Sequence, residues 1–74
     1  MKDWRQRITI NPAQCSGRPC IRGMRIRVVD VLDLLAAGLS YDQILEELPD
    51  LEEEDIEAAI KYAHGKIDHP IVAV

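Results

Sequence analysis

Apolar residues along this chain change their spacing near Val28, and the change divides it into two kinds of structure. Arg7-Ile8-Thr9-Ile10 alternates polar and apolar, and its β-branched residues favour a strand. Asn11 to Pro19 is dense in turn formers, so the strand stops at Asn11-Pro12 and a loop follows. Gly23 to Val28 alternates again, with Ile26 and Val28 facing one way and Arg25 and Arg27 the other, as in a half-buried strand. Gly23 supplies a positive φ at the turn before it. From Val28 the period lengthens. Val28, Val31, Leu32 and Leu35 form the core-facing stripe of a first helix. Asp30 and Asp33 lie near its positive N-terminal end, and Gly38 fits the left-handed position past its C-terminus.

A second helix follows over "SYDQILEEL". Ser40 is its N-cap, and Gln43 three residues on completes a capping box. Ile44, Leu45 and Leu48 form its buried face, and Pro49 ends it. "EEEDIEAAIKYAHG" is the third helix, with Ile56, Ala59, Ile60 and Ala63 inside, acids crowding its first turn and Gly65 as its stop. The tail "HPIVAV" is apolar, so Ile71, Val72 and Val74 need a cover, from this domain or from a partner.

This pattern predicts a mainly α fold: a short two-stranded β element, then a three-helix bundle of the homeodomain-like or winged helix-turn-helix-like kind. One domain spans residues 1–74. The β element with its Gly/Arg loop covers 8–28, the bundle 28–66 and the apolar tail 67–74. At 74 residues the core is small, and scaffolds of this size need a disulfide, a metal or a partner chain. The chain has no Phe, so the core is aliphatic.

Charge sharpens the division. Residues 1–30 hold seven Lys/Arg against two Asp, a balance of +5, and residues 31–74 hold two Lys against eleven acids, a balance of −9. Such a split suits separate partner surfaces, two chains meeting head to tail, or mutual neutralisation within one fold. No apolar stretch approaches the length of a bilayer span, and "MKDWRQRITI" lacks the apolar region of a signal peptide. The expected compartment is the cytoplasm, where thiols stay reduced.

Four constellations carry candidate chemistry. Cys15, Cys20, His64 and His69 supply the ligand types of a tetrahedral zinc site. The two pairs lie too far apart in the chain for a finger, however, and small buried thiols with surface histidines account for them as well. Cys20 between Arg18 and Arg22 has the setting of a reactive thiol but no positioned base. No hydrolase triad, metal-hydrolase motif or phosphate loop is present, so an enzyme is not expected, nor a cofactor. The run from Gly38 to Ala63 has the cadence of a helix-turn-helix. Its last helix would meet DNA with Glu52, Glu53, Glu54, Asp55 and Glu57, which phosphates repel. The positive surface is instead Arg18, Arg22, Arg25 and Arg27, facing outward to DNA or to carboxylates of a protein partner. Gly17, Pro19 and Gly23 shape its turn, and Ile21 and Ile26 seat it on the helices.

The segment from Ile8 to Ala63, and "GRPCIRGMRIRV" above all, resembles the small prokaryotic proteins grouped as domain of unknown function 433. Gly17, Arg18, Pro19, Ile21, Arg22, Gly23, Arg25 and Ile26 match the family segment. Met24 stands where the family usually has Thr, and Glu52 where Ser or Thr is common, which removes an N-cap and adds charge. The resemblance implies a homeodomain-like helix-turn-helix. It further implies an antitoxin of the VapB kind, which would bind a PIN-type nuclease-like toxin and repress its own promoter as a dimer. The expected partners are therefore a second copy of the chain, a toxin protein and, if the arginines meet phosphate, DNA. The alternatives are a stand-alone transcriptional regulator and a zinc-stabilised interaction module.

Overall fold

The computed structural model describes residues 3–67. The chain opens with a turn of 3₁₀ helix, Trp4–Arg7, capped by the Asp3 carboxylate, which accepts from the Arg5 N–H at 3.0 Å. Strand β1 (Ile8–Thr9) pairs antiparallel with β2 (Cys20–Ile21), Ile8 opposite Ile21 and Thr9 opposite Cys20. Three helices follow: α1 (Val28–Ala36), α2 (Tyr41–Glu47) and α3 (Glu53–Ile67). The fold is mainly helical with a two-stranded β element first, as the pattern predicts.

The second strand is not where alternation puts it. The partner of β1 is Cys20–Ile21, and the expected strand from Gly23 to Val28 is reduced to one bridge, Arg27 with Cys20, and one bond from the Ile21 N–H to the Ile26 carbonyl at 2.9 Å. The cause is a tight reversal at Ile21–Met24. Arg22 (φ 44) and Gly23 (φ 72) are both left-handed, and the Met24 N–H donates to the Ile21 carbonyl at 2.8 Å, as in a hairpin turn of type I′. The return limb is then claimed by α1. Asp30 accepts from the Arg27 N–H at 2.9 Å, the one half of a capping box available when the N-cap is an arginine, and the Val28 N–H donates to the Pro19 carbonyl at 3.0 Å. The expected alternation survives in burial, since Val28 is buried, Ile26 packs on the core and Arg25 is exposed.

Gly38 (φ 93) ends α1 as expected. The Leu39 N–H reaches the Leu34 carbonyl at 3.1 Å and the Gly38 N–H the Leu35 carbonyl at 3.0 Å, the paired bonds of a Schellman motif. Ser40 caps α2 reciprocally with Gln43, at 3.2 and 2.8 Å. Helix α3 departs from expectation at its far end. Gly65 keeps a helical backbone rather than the left-handed one that stops a helix, and α3 runs on to Ile67. Its inner face is also rotated. Asp55, Ile56, Ala58 and Ala59 are buried, whereas Ile60 is 37% exposed. The rotation follows from packing: α3 lies against the N-terminal turn and β1 as well as against α1 and α2, so the face through Ala58 and Tyr62 is covered too.

Ile21, Val28, Val31, Ile44, Leu51, Ile56 and Ala59 form the core, aliphatic throughout. One residue from the β element and representatives of every helix meet there. Each large side chain contributes roughly 1.5–3 kcal/mol by leaving water. His69 and the tail residues Ile71, Val72 and Val74 lie outside the described residues.

Candidate functional site

The arginines separate into two groups. Arg22 is exposed, but its guanidinium is engaged by the scaffold. Its Nη2 and Nε lie 2.8 and 3.0 Å from the Asp55 carboxylate, and Nη2 also donates to the Asp50 carbonyl at 3.0 Å. Arg7 reaches the same carboxylate at 2.8 Å and Glu52 at 2.8 Å. Asp55 accepts from the Glu52 N–H at 2.8 Å as well, so it replaces half of the missing cap at the start of α3. Asp55 is 0% exposed and holds the β element to the helices. Burial alone would raise its pKa; Arg22, the Glu52 N–H and Arg7 together overcome that and hold it below the ordinary carboxylate range. Arg22 and Arg7 are correspondingly raised by their carboxylate partners.

Arg18, Arg25 and Arg27 instead line one open concavity of about 510 Å³ with Cys15 and Ser16. Arg27 is anchored to Asp30 at 2.8 Å, which raises the arginine and lowers the aspartate. Arg18 and Arg25 are exposed and have no side-chain hydrogen bond or ion pair among the described residues. The floor is an unusual turn, in which Cys15 (φ 53), Ser16 (φ 56) and Gly17 (φ 77) are consecutively left-handed. Such a conformation costs roughly 1–2 kcal/mol at each residue bearing a Cβ. The loop is held by its neighbours: the Arg18 N–H donates to the Cys15 carbonyl at 3.0 Å and the Gln14 amide to the Gly23 carbonyl at 2.8 Å.

The two thiols are free and unlike. Cys20 is buried, and its Sγ donates to the Arg18 carbonyl at 3.4 Å. Burial pushes it up to about 11, the neighbouring Cys15 thiol adding to the shift. Cys15 is half-buried at the edge of the arginine concavity. His64 sits on α3, and no group of three or more Cys, His, Asp or Glu side chains suited to a metal occurs among the described residues.

Two apolar grooves flank the C-terminal half of α3. One, of about 380 Å³, runs between Pro19, Val29, Leu32 and the far end of α3. The other, of about 400 Å³, lies on the opposite flank, between Trp4, Ile8, Ile10 and Tyr62. Lys66 borders both and stands 5.4 Å from the Tyr62 ring centre. Ile10 and Ile67 are 60% and 71% exposed beside them. No described helix is long and apolar enough to cross a membrane.

Reading the residues in order misses Arg7 and Asp55. Asp55 hides in a run of acids that reads as a helix start, yet it shares helical spacing with Ala58, Ala59 and Tyr62. That spacing is the signal that would have placed it inside. Trp4 and Tyr62 are missed because the groove between them forms only when the N-terminal turn packs on α3.

The family profile described as "Protein of unknown function (DUF433)" matches residues 8–63. The chain is also 41% identical over 61 residues to "Uncharacterized protein y4eO" of Sinorhizobium fredii (strain NBRC 101917 / NGR234). The match takes in 82% of this chain and 28% of that protein, so the chain spans under a third of the relative's length. No solved structure matches it.

Proposed function

The chain belongs to the DUF433 family of proteins of unknown function, and from that premise we propose that it is an antitoxin-like, non-enzymatic binding protein whose partner is a PIN-type nuclease-like toxin. The observation that supports this reading is the pair of apolar grooves along the end of α3, with Ile10 and Ile67 left in water beside them. Exposed apolar surface of this kind costs solubility and suits a protein partner or a second copy of the chain. A homodimer is part of the same proposal. Co-expression with the product of the adjacent gene tests it. The expected result is a stable complex on gel filtration, lost in Ile67→Glu and retained in Glu53→Gln. Separate elution of two folded proteins would overturn it.

A stand-alone helix-turn-helix regulator is the second reading. It is favoured by the α2–turn–α3 arrangement, with Ile44 and Ile56 buried together. Exposed Glu53, Glu54 and Glu57 weigh against α3 entering a DNA groove.

A further inference from the structure

We infer that the concavity of Arg18, Arg25 and Arg27 is a binding site for phosphodiester groups of nucleic acid, carried by the loop and turn around the β element and not by α3. The inference rests on the binding-protein reading above but assigns a separate ligand to an adjoining surface, with Arg18 bordering both the concavity and the groove beside Pro19 and Val29.

Most of the positive charge of the β element is already engaged. Arg7 and Arg22 are spent on Asp55 and Glu52 inside the fold, and the Arg27 guanidinium is half taken by Asp30. Arg18 and Arg25 form no ion pair among the described residues, which include twelve Asp and Glu. Their fold places them in one concavity with a third guanidinium and Ser16, and no carboxylate among the described residues lines it. Positive charge concentrated this way meets a dense row of anions better than it meets scattered ones. A nucleic-acid duplex offers one phosphate about every 1.7 Å of axis. The planar guanidinium fork matches phosphate oxygens in pairs, and all three basic residues here are arginine rather than lysine.

The rest of the molecule fixes the orientation. Asp42, Glu46, Glu47, Asp50, Glu53, Glu54 and Glu57 are exposed on α2, α3 and the turn between them. A polyanion is repelled there and is left the arginine concavity. The left-handed turn at Cys15–Gly17, tied to the hairpin by Gln14, keeps the bearing loop in one shape before any ligand arrives. Less ordering is then needed on binding.

The test is fluorescence anisotropy of the full chain with labelled duplex DNA, titrated between 50 and 300 mM salt at roughly the range where phosphate contacts dominate. The variant is Arg18→Gln/Arg25→Gln, whose two side chains make no hydrogen bond or ion pair among the described residues, so its melting temperature should match the wild type. The expected result is binding whose dependence of log affinity on log salt becomes shallower by about 1.8 in the variant, since each phosphate contact contributes about 0.9. Binding at the lowest salt should weaken on the order of tenfold or more. Inorganic phosphate alone should displace the duplex only at millimolar or higher concentration, on the order expected for one isolated anion contact. Equal affinity and equal salt slope in wild type and variant would overturn the site. Absence of duplex binding by the wild type would overturn the ligand, as would tighter binding of a polyglutamate peptide to the same arginines. The toxin complex is read on Ile67→Glu by gel filtration and this site on the arginine pair by its salt slope, so failure of one is distinguishable from failure of the other.

Discussion

Replacing Asp55 by Ala leaves Arg7 and Arg22 facing each other where the β element meets α3. Breaking a buried ion pair costs about 3–5 kcal/mol because the remaining charge is uncompensated. Here the arginines are partly exposed and can turn to water, so the expected loss is near the lower end, about 3 kcal/mol, read by urea unfolding. The same carboxylate makes stability depend on acid. Its folded pKa is depressed, so its contribution is complete above the unfolded carboxylate value of about 3.9 and disappears as pH falls through the folded one. Asp55→Asn should therefore be less stable than wild type at pH 7, with the difference shrinking below about pH 4. A constant difference across that range would show that Asp55 acts by hydrogen bonding alone. The cysteines give a second test at this scale. Cys15 is half-exposed while Cys20 is buried and held neutral, its pKa up at about 11. Native protein treated with N-ethylmaleimide at neutral pH should take up one equivalent at Cys15, and a second at Cys20 only after denaturation. Peptide mass spectrometry distinguishes the sites.

At the level of elements, the boundaries that rest on local chemistry were legible and those that rest on tertiary pairing were not. The capping box of Ser40 and Gln43 and the left-handed Gly38 satisfy backbone groups within a few residues of themselves, so their sequence is their structure. Gly38→Ala should cost roughly 1–2 kcal/mol through its φ of 93, and Ser40→Ala about 1 kcal/mol through the lost cap. Thermal melts of both variants check this, and a neutral Gly38→Ala would contradict the Schellman end. The second strand was misplaced for the opposite reason. Alternation from Gly23 to Val28 is real, but the ladder partner of β1 was decided by the turn at Arg22-Gly23 and by Asp30 claiming the Arg27 N–H for α1. Neither competition appears in the alternation itself. Gly65 was misread as a stop because glycine ends helices only when its backbone turns left-handed, and here it does not.

For the whole molecule, the sequence already held the charge division but not its geometry. The +5 of residues 1–30 does not all face outward, since Arg7 and Arg22 neutralise α3 internally and Arg27 answers Asp30. What remains outside is a basic concavity at the loop, an acidic surface over α2 and the start of α3, and apolar grooves along the end of α3. The grooves were not legible because they are made by elements distant in sequence, Trp4 and Ile10 on one flank and Pro19 and Val29 on the other. Their consequence is a dependence of stability on concentration. If a second copy covers them, folding and association are linked, and dilution favours the unfolded chain by mass action. The expected melting temperature therefore rises with protein concentration in the wild type. Ile67→Glu places a charge on the rim at a side chain already 71% exposed, so it should abolish that dependence without damaging the core. Sedimentation equilibrium on the same samples should show a dimer becoming a monomer. A concentration-independent melt in the wild type would remove the dimer and leave the grooves to a partner of different sequence. The toxin complex would then have to form with a monomer, at a measurable one-to-one stoichiometry.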